Sequence, residues 1–205
     1  FWHNHFVTSR ESVKDARYNY FYLHLLREHA TGNFKALTKA VTLDPAMLRY
    51  LNGNQNTRNK PNENYARELL ELFTVGRGPL AGPGDYTNYT EDDVIAIAKI
   101  LTGWRDRGYY STTIAVPNVE FRSAQHDTSN KQLSLRLGNK TINNQGDREY
   151  IALIDHLFTQ SAVSEFICRK LYRWFVNYDI TPEIENTVIQ PLAAAFRENN
   201  YEILP

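Results

Sequence analysis

The run Asn62-Glu63-Asn64-Tyr65-Ala66-Arg67-Glu68-Leu69-Leu70-Glu71-Leu72-Phe73-Thr74-Val75-Gly76 sets two carboxylates, Glu63 and Glu71, at four-residue steps on either side of one guanidinium, Arg67. Wound at about 100° per residue, these three share an arc with Asn64, Glu68 and Thr74, while Tyr65, Ala66, Leu69, Leu70, Leu72 and Phe73 fill the opposite arc. Such a face has two readings. Turned to water, it carries i,i+4 ion pairs worth a few tenths of a kcal/mol each. Turned inward, Arg67 separates carboxylates whose proton affinities then diverge, as an acid–base pair requires. Asn62, Asn64, Arg67 and Glu68 also cluster beside Pro61, where a plain solvated face would use more Lys and Ala. On the inward reading Glu63 or Glu71 is the general base, and Arg67, with Asn64 and Lys131, anchors an anionic substrate group.

His126-Asp127 falls in an irregular segment, with Lys131 four residues on. A carboxylate beside an imidazole raises its basicity and orients it, so His126 is a candidate acid with Asp127 in support. An exposed pair of this kind would be inert. Phe1-Trp2-His3-Asn4-His5-Phe6 alternates polar groups with rings. In a strand His3 and His5 would share a face as a two-point metal grip; in a helix they lie about 200° apart. The helical form is expected, with one His buried and hydrogen-bonded and the other on the surface. Two imidazoles alone are too few for a metal, so a divalent ion would need His5, His126 and a Glu together. The string His3-Asn4-His5 is not an HNH nuclease signature, since the rest of that unit is missing. Cys168, between Ile167 and Arg169, reads as a buried small apolar residue. No Ser or Thr occupies a Gly-flanked nucleophile turn, and Gly76-Arg77-Gly78 lacks the spacing and the Lys of a phosphate loop.

The elements that must position these residues read as helices. Asn62 is a good N-cap and Gly76 a good left-handed terminator for the central one. Ser9 to Ala30 carries a wide apolar stripe, Phe34 to Thr42 follows Gly32-Asn33, and Asp44-Pro45 opens a short third helix. Residues 52–61 form a polar loop, and Arg77 to Tyr89, rich in Gly and Pro, forms another. Thr90-Glu91-Asp92-Asp93 resembles a capping box at the start of a helix that Gly103 closes. Leu133, Leu135 and Leu137 alternate with polar residues before Gly138-Asn139 and Lys140-Thr141-Ile142, a β-hairpin signal. Asp147 to Thr159, Ala162 to Tyr178 and Pro182 to Asn199 complete the helices, with Ser161 and Thr181-Pro182 starting the last two. The sum is mainly α: an irregular bundle of about seven helices with one small β-hairpin excursion around 110–145.

At 205 residues the chain suits a single mainly helical domain over 1–205. Its 23 basic and 23 acidic residues cancel, so nothing steers the whole surface toward nucleic acid. No apolar run approaches the ~20 residues that cross a bilayer. Aromatic residues make up 13% and include 13 Tyr, which suits a ring-built core or a surface that meets carbohydrate or peptide. With Cys168 alone, no internal disulfide forms. The chain opens on Phe1-Trp2-His3 without an initiator Met, so it reads as an excised piece of a longer protein, with any export signal outside it.

Several of these motifs recur in one order: Phe1-Trp2-His3-Asn4-His5-Phe6, Asn62 through Gly76, Tyr89-Thr90-Glu91-Asp92-Asp93-Val94, Leu101-Thr102-Gly103-Trp104, His126-Asp127, Lys131 and Gly138. The series resembles the bacterial DUF1800 family, a domain of unknown function, over nearly all of residues 1–205. The family's usual His-Asp-x-Gly-x-Lys run departs here, with Ser129 at the Gly position. The resemblance implies a mainly helical bacterial protein, often exported and hence periplasmic or extracellular, in a family with no assigned catalytic residues. What carries over is a set of polar motif positions: His3, His5, Glu63, Asn64, Arg67, Glu68, Glu71, His126, Asp127 and Lys131. Polar motif positions need either a site or a buried network as explanation. The expectation is that His5, the Glu63/Arg67/Glu71 face and the His126-Asp127 loop converge on one pocket. Two functions stay open. One is a structural or binding module, its helices fixed by a buried His/Glu/Arg network and its surface meeting a polysaccharide or protein. The other is a hydrolase, metal-assisted or not, acting on a cell-envelope or extracellular polymer.

Overall fold

Side-chain oxygens set where half of the helices begin. In a computed structural model that describes residues 1–83 and 85–204, the helices are α1 (Trp2–His5), α2 (Ala16–Glu28), α3 (Phe34–Thr42), α4 (Pro45–Tyr50), α5 (Asn64–Glu68), α6 (Glu91–Ile100), α7 (Glu149–Leu157), α8 (Ser161–Phe175), α9 (Pro182–Ile184) and α10 (Gln190–Glu198). Asp15 is extended and accepts from the Arg17 amide, so α2 starts at Ala16 instead of reaching back to Ser9. Asn33, Asp44 and Thr181 cap α3, α4 and α9 in the same way, and Thr90 and Asp93 complete a capping box on α6. Ser161 does not cap: it is the first residue of α8, after Gln160.

The core is one continuous cluster, mostly aliphatic, with a chain of touching rings running through it. Trp2 stacks on Phe34 at 5.4 Å, Phe6 lies 5.0 Å from Phe73, and Phe158 meets Phe34 at 5.4 Å and Tyr201 at 4.7 Å. All are buried, so Phe34 joins the first helix to the residues after α10. Each such side chain taken out of water contributes roughly 1.5–3 kcal/mol. That answers the aromatic richness for these rings, although Tyr20, Tyr110, Trp174, Phe175 and Tyr178 remain exposed.

The β content differs from the single hairpin expected. The described residues form three two-stranded antiparallel sheets: β1 (Leu80–Gly82) with β2 (Asp85–Tyr86), β3 (Trp104–Arg107) with β4 (Asn118–Phe121), and β5 (Lys131–Gln132) with β6 (Thr141–Ile142). The expected hairpin is the third, but its leucines are not its strand. Leu135–Leu137 is a 3-10 turn closed by Gly138 at φ +73° and Asn139 at φ +51°, with Leu133 and Leu137 buried and Leu135 in solvent.

Candidate functional site

The central helix changes geometry midway. After α5 the chain makes one π turn, Leu69–Phe73, and Gly76 ends the run at φ +68° with its N–H on the Leu70 carbonyl. A π turn holds one residue more than an α turn, so every side chain beyond it is rotated from the α-helical wheel. Thr74, expected on the polar arc, is buried and donates to the Leu69 carbonyl at 2.5 Å, while Leu72, expected on the apolar arc, is 47% exposed. Asn62 does not cap α5, whose N-cap is Glu63 without a side-chain bond; Asn62 accepts the Asn64 amide at 3.0 Å one residue earlier, and Asn64 itself is exposed.

The rotation divides the three charges. Arg67 donates to both carboxylate oxygens of Glu91 on α6 at 2.8 Å, and to Glu63 at 3.3 Å. This cluster is partly open to water, and the guanidinium holds the Glu91 carboxyl below its ordinary range. Glu71 turns inward instead, 7% exposed, accepting from Arg77 Nε at 2.7 Å and from the Tyr89 hydroxyl. Burial, and after it the Glu71 carboxylate, pushes both the Tyr89 hydroxyl and the Glu68 carboxyl up. Arg67 therefore does not bond Glu71, although the two remain electrostatic neighbours.

The π turn also frees carbonyls that other elements satisfy. His5 Nε2 lies 3.2 Å from the Phe73 oxygen, and Lys170 Nζ on α8 lies 3.0 Å from the Leu72 oxygen and 3.1 Å from His5 Nδ1. An ammonium only donates, so Nδ1 accepts and Nε2–H donates to Phe73. Burial, and then the Lys170 charge, pushes the His5 imidazole well below its ordinary value; burial brings the Lys170 ammonium down to about 8. His5 is the buried, hydrogen-bonded histidine and His3 the surface one, as a helix requires.

His126, Lys131 and Glu149 form a third group, each at most 2% exposed. His126 Nδ1 faces the Thr102 carbonyl at 2.9 Å, and Nε2 faces Glu149 Oε1 at 2.9 Å. Glu149 Oε2 accepts from Lys131 Nζ at 2.7 Å, and its Oε1 also takes the Gln145 amide at 3.1 Å. Lys131 donates again to the Asp127 carbonyl, and the Asp127 amide donates to Thr102 Oγ1 at 2.8 Å. Every polar atom of these side chains has a partner. The carboxylate that meets the His126 ring is thus Glu149, at the start of α7, while the Asp127 carboxylate accepts the Ser129 amide at 2.9 Å. Burial would raise the Asp127 carboxyl, but the Ser129 bonds and the Lys131 charge outweigh it and hold the carboxyl low. Ser129 has a negative φ, so this turn does not demand the Gly of the family pattern.

The expected single pocket is not what these residues form. Their bonds make separate groups: Glu63, Arg67 and Glu91 at the surface; Glu71, Arg77 and Tyr89 beneath; His5 with Lys170; His126 with Glu149, Lys131 and Asp127. A metal through His5 and His126 does not fit either. Both nitrogens of each ring are engaged, and no group of three or more His, Cys, Asp or Glu side chains suited to an ion occurs among the described residues. Glu149, Arg77, Tyr89, Thr102 and Lys170 are the partners that sequence reasoning missed. Glu149 carried no signal, because an acid in the first turn of a helix already has a reason to be there.

Cys168 is buried as expected, and burial pushes its thiol up to about 12. No helix among the described residues is long and apolar enough to cross a membrane. No curated protein and no solved structure matches the chain. A family model described as "Protein of unknown function (DUF1800)" matches residues 1–205, a span that contains all the ordered motifs, and the chain belongs to the DUF1800 family.

Proposed function

We propose that this chain is a structural and binding module of an exported bacterial protein, with internal ion networks that fix its packing and a partner that meets its surface. The observation that carries this reading is the closure of the His126–Glu149–Lys131 group. A general acid or base must come within a hydrogen bond of the proton it moves, and these three side chains are sealed from solvent with each of their nitrogens and oxygens already partnered. A buried, fully paired network of that kind sets how elements pack. Here it ties the loop at residues 126–131 to the start of α7 and to the turn after α6.

One observation favours a hydrolase as the second reading. Glu68 and Glu71 are adjacent carboxyls in unlike settings: burial and Glu71 push Glu68 up, while Arg77 and Tyr89 bind Glu71. A carboxyl raised in this way beside a second one held by a guanidinium and a phenol suits acid–base chemistry on a glycosidic or peptide bond. The purified chain incubated with insoluble cell-envelope and extracellular polysaccharides separates the two. The binding reading expects the protein to sediment with a polymer and release no soluble reducing ends or peptides. Soluble product that disappears with Glu71→Gln or Glu68→Gln would establish the hydrolase instead.

A further inference from the structure

The three cations of helix α8 are unequally paired. Arg169 is committed to Glu165 at 3.0 Å and Glu185 at 2.6 Å. Lys170 and Arg173 make no ion pair among the described residues, although Arg173, one turn on, shares the Arg169 side of the helix. The carboxylate that Arg173 influences is Glu185, whose oxygens are already taken by Arg169 and Gln190. Lys170 spends two donors on His5 and the Leu72 carbonyl, which leaves an ammonium hydrogen over.

These two cations open on a cavity of about 300 Å³ between α1 and the end of α8, walled by the rings of Phe1, Trp174 and Tyr178 and holding no acidic side chain in its lining. Trp174 is 52% exposed and Tyr178 84% exposed, while Phe1 meets Trp174 edge-on at 5.8 Å. Large rings left in solvent beside a cleft mark a contact surface. The volume lies at the small end for ligand pockets, which suits one ring-sized group.

The combination narrows the ligand. An inorganic anion would satisfy the cations and leave the aromatic walls wet. A neutral sugar would cover the walls and leave both cations without an anion inside the cavity. A pyranose bearing a carboxylate does both, because its C–H face lies against the rings and its anion takes charge-assisted bonds from a guanidinium and an ammonium. We propose that this cavity binds a uronate ring of an acidic polysaccharide, with Lys170 and Arg173 on the carboxylate and Trp174 and Tyr178 beneath the ring. The proposal rests on the binding-module reading above and names the class of its partner. The low proton affinity of the half-buried Lys170 ammonium fits a cation that lacks its anion.

The test titrates the intact chain with oligogalacturonate, with a neutral cello-oligosaccharide and with a glutamate oligopeptide, reading tryptophan fluorescence and calorimetry. Oligogalacturonate should bind in preference to the other two. Arg173→Gln and Trp174→Ala should each weaken it about tenfold, the loss of one charge-assisted bond or one ring face. Both side chains are exposed, so these variants keep the fold, which thermal melts verify; Lys170→Gln is a third arm wherever its melt matches the wild type. Absence of oligogalacturonate binding, indifference to Arg173→Gln and Trp174→Ala, or equal binding of the neutral sugar or the peptide each overturns the proposal. Sedimentation with a neutral polymer alone would sink this proposal and leave the binding module standing, whereas release of soluble product would remove the binding module itself.

Discussion

Lys131 and Glu149 show most directly how little the charge of a residue says about its task. Each is fully enclosed, and removing one partner strands the other in a medium that penalises an unpaired ion. Lys131→Met should therefore lower the unfolding free energy by about 3–5 kcal/mol, measured by urea denaturation. Combined with Glu149→Leu it should lose less than the sum of the two single changes, since the double variant strands no carboxylate beside the missing ammonium. A single-variant loss under about 1 kcal/mol would mean that water reaches the pair after all. Sequence reasoning found part of this group, because His126, Asp127 and Lys131 lie within one short segment. It could not find Glu149, 23 residues from His126, nor see that the Asp127 carboxylate faces Ser129 while its backbone joins the network.

Elements were most legible where a side chain closes a backbone bond. The expected starts at Asp44, Thr90 and Thr181 all act as their types imply, because an oxygen that satisfies an orphan amide works the same way in any fold. Asp15, in contrast, sets a start for α2 that the stripe from Ser9 hides, and Ser161 caps nothing. The π turn was illegible for the opposite reason. The carbonyls at its end are met by His5 from α1 and Lys170 from α8, and the Leu69–Phe73 residues do not announce those contacts. Asp44 tests the balance at one cap. Its carboxylate accepts the Ala46 and Met47 amides, which lowers proton affinity, yet burial outweighs them and raises it from 3.8 to about 6. A folded-state value above the unfolded one gives stability that is complete below about pH 4 and lost as pH rises through about 6. Asn presents the same accepting oxygen without the charge. Asp44→Asn should accordingly gain on the wild type as pH climbs across that window, by roughly 3 kcal/mol at most. Parallel stability curves for the two proteins between pH 4 and 7 would refute the burial argument.

Across the whole molecule, one chain of touching rings threads the core, running from Trp2 and Phe6 through Phe34 to Phe158, Phe196 and Tyr201. A mainly helical chain was readable because amphipathic stripes repeat over many residues and average out local exceptions. Of the short sheets only the third was signalled, by its Gly138-Asn139 turn, since strands of two to four residues give alternation no length to declare itself. That shared core predicts cooperative behaviour. Trp2 is anchored in it by a 2.8 Å bond to the Ala30 carbonyl, and Trp104 is buried at the opposite end of the sequence's irregular segment, between α6 and β4. With the exposed Trp174 replaced by Phe, fluorescence reports these two sites and far-ultraviolet circular dichroism reports the helices. One folding unit requires both signals to move together in urea with a common midpoint and slope. The hairpin of β3 and β4 is the weakest link in that expectation, because a two-stranded ribbon holds only by what it packs against. Trp104 meets Tyr150 on α7 at 5.8 Å, and Asp106 takes Arg49 of α4 at 2.6 Å. If those docks were loose, the Trp104 signal would fall first and the transition would split, dividing residues 1–205 into parts that fold separately.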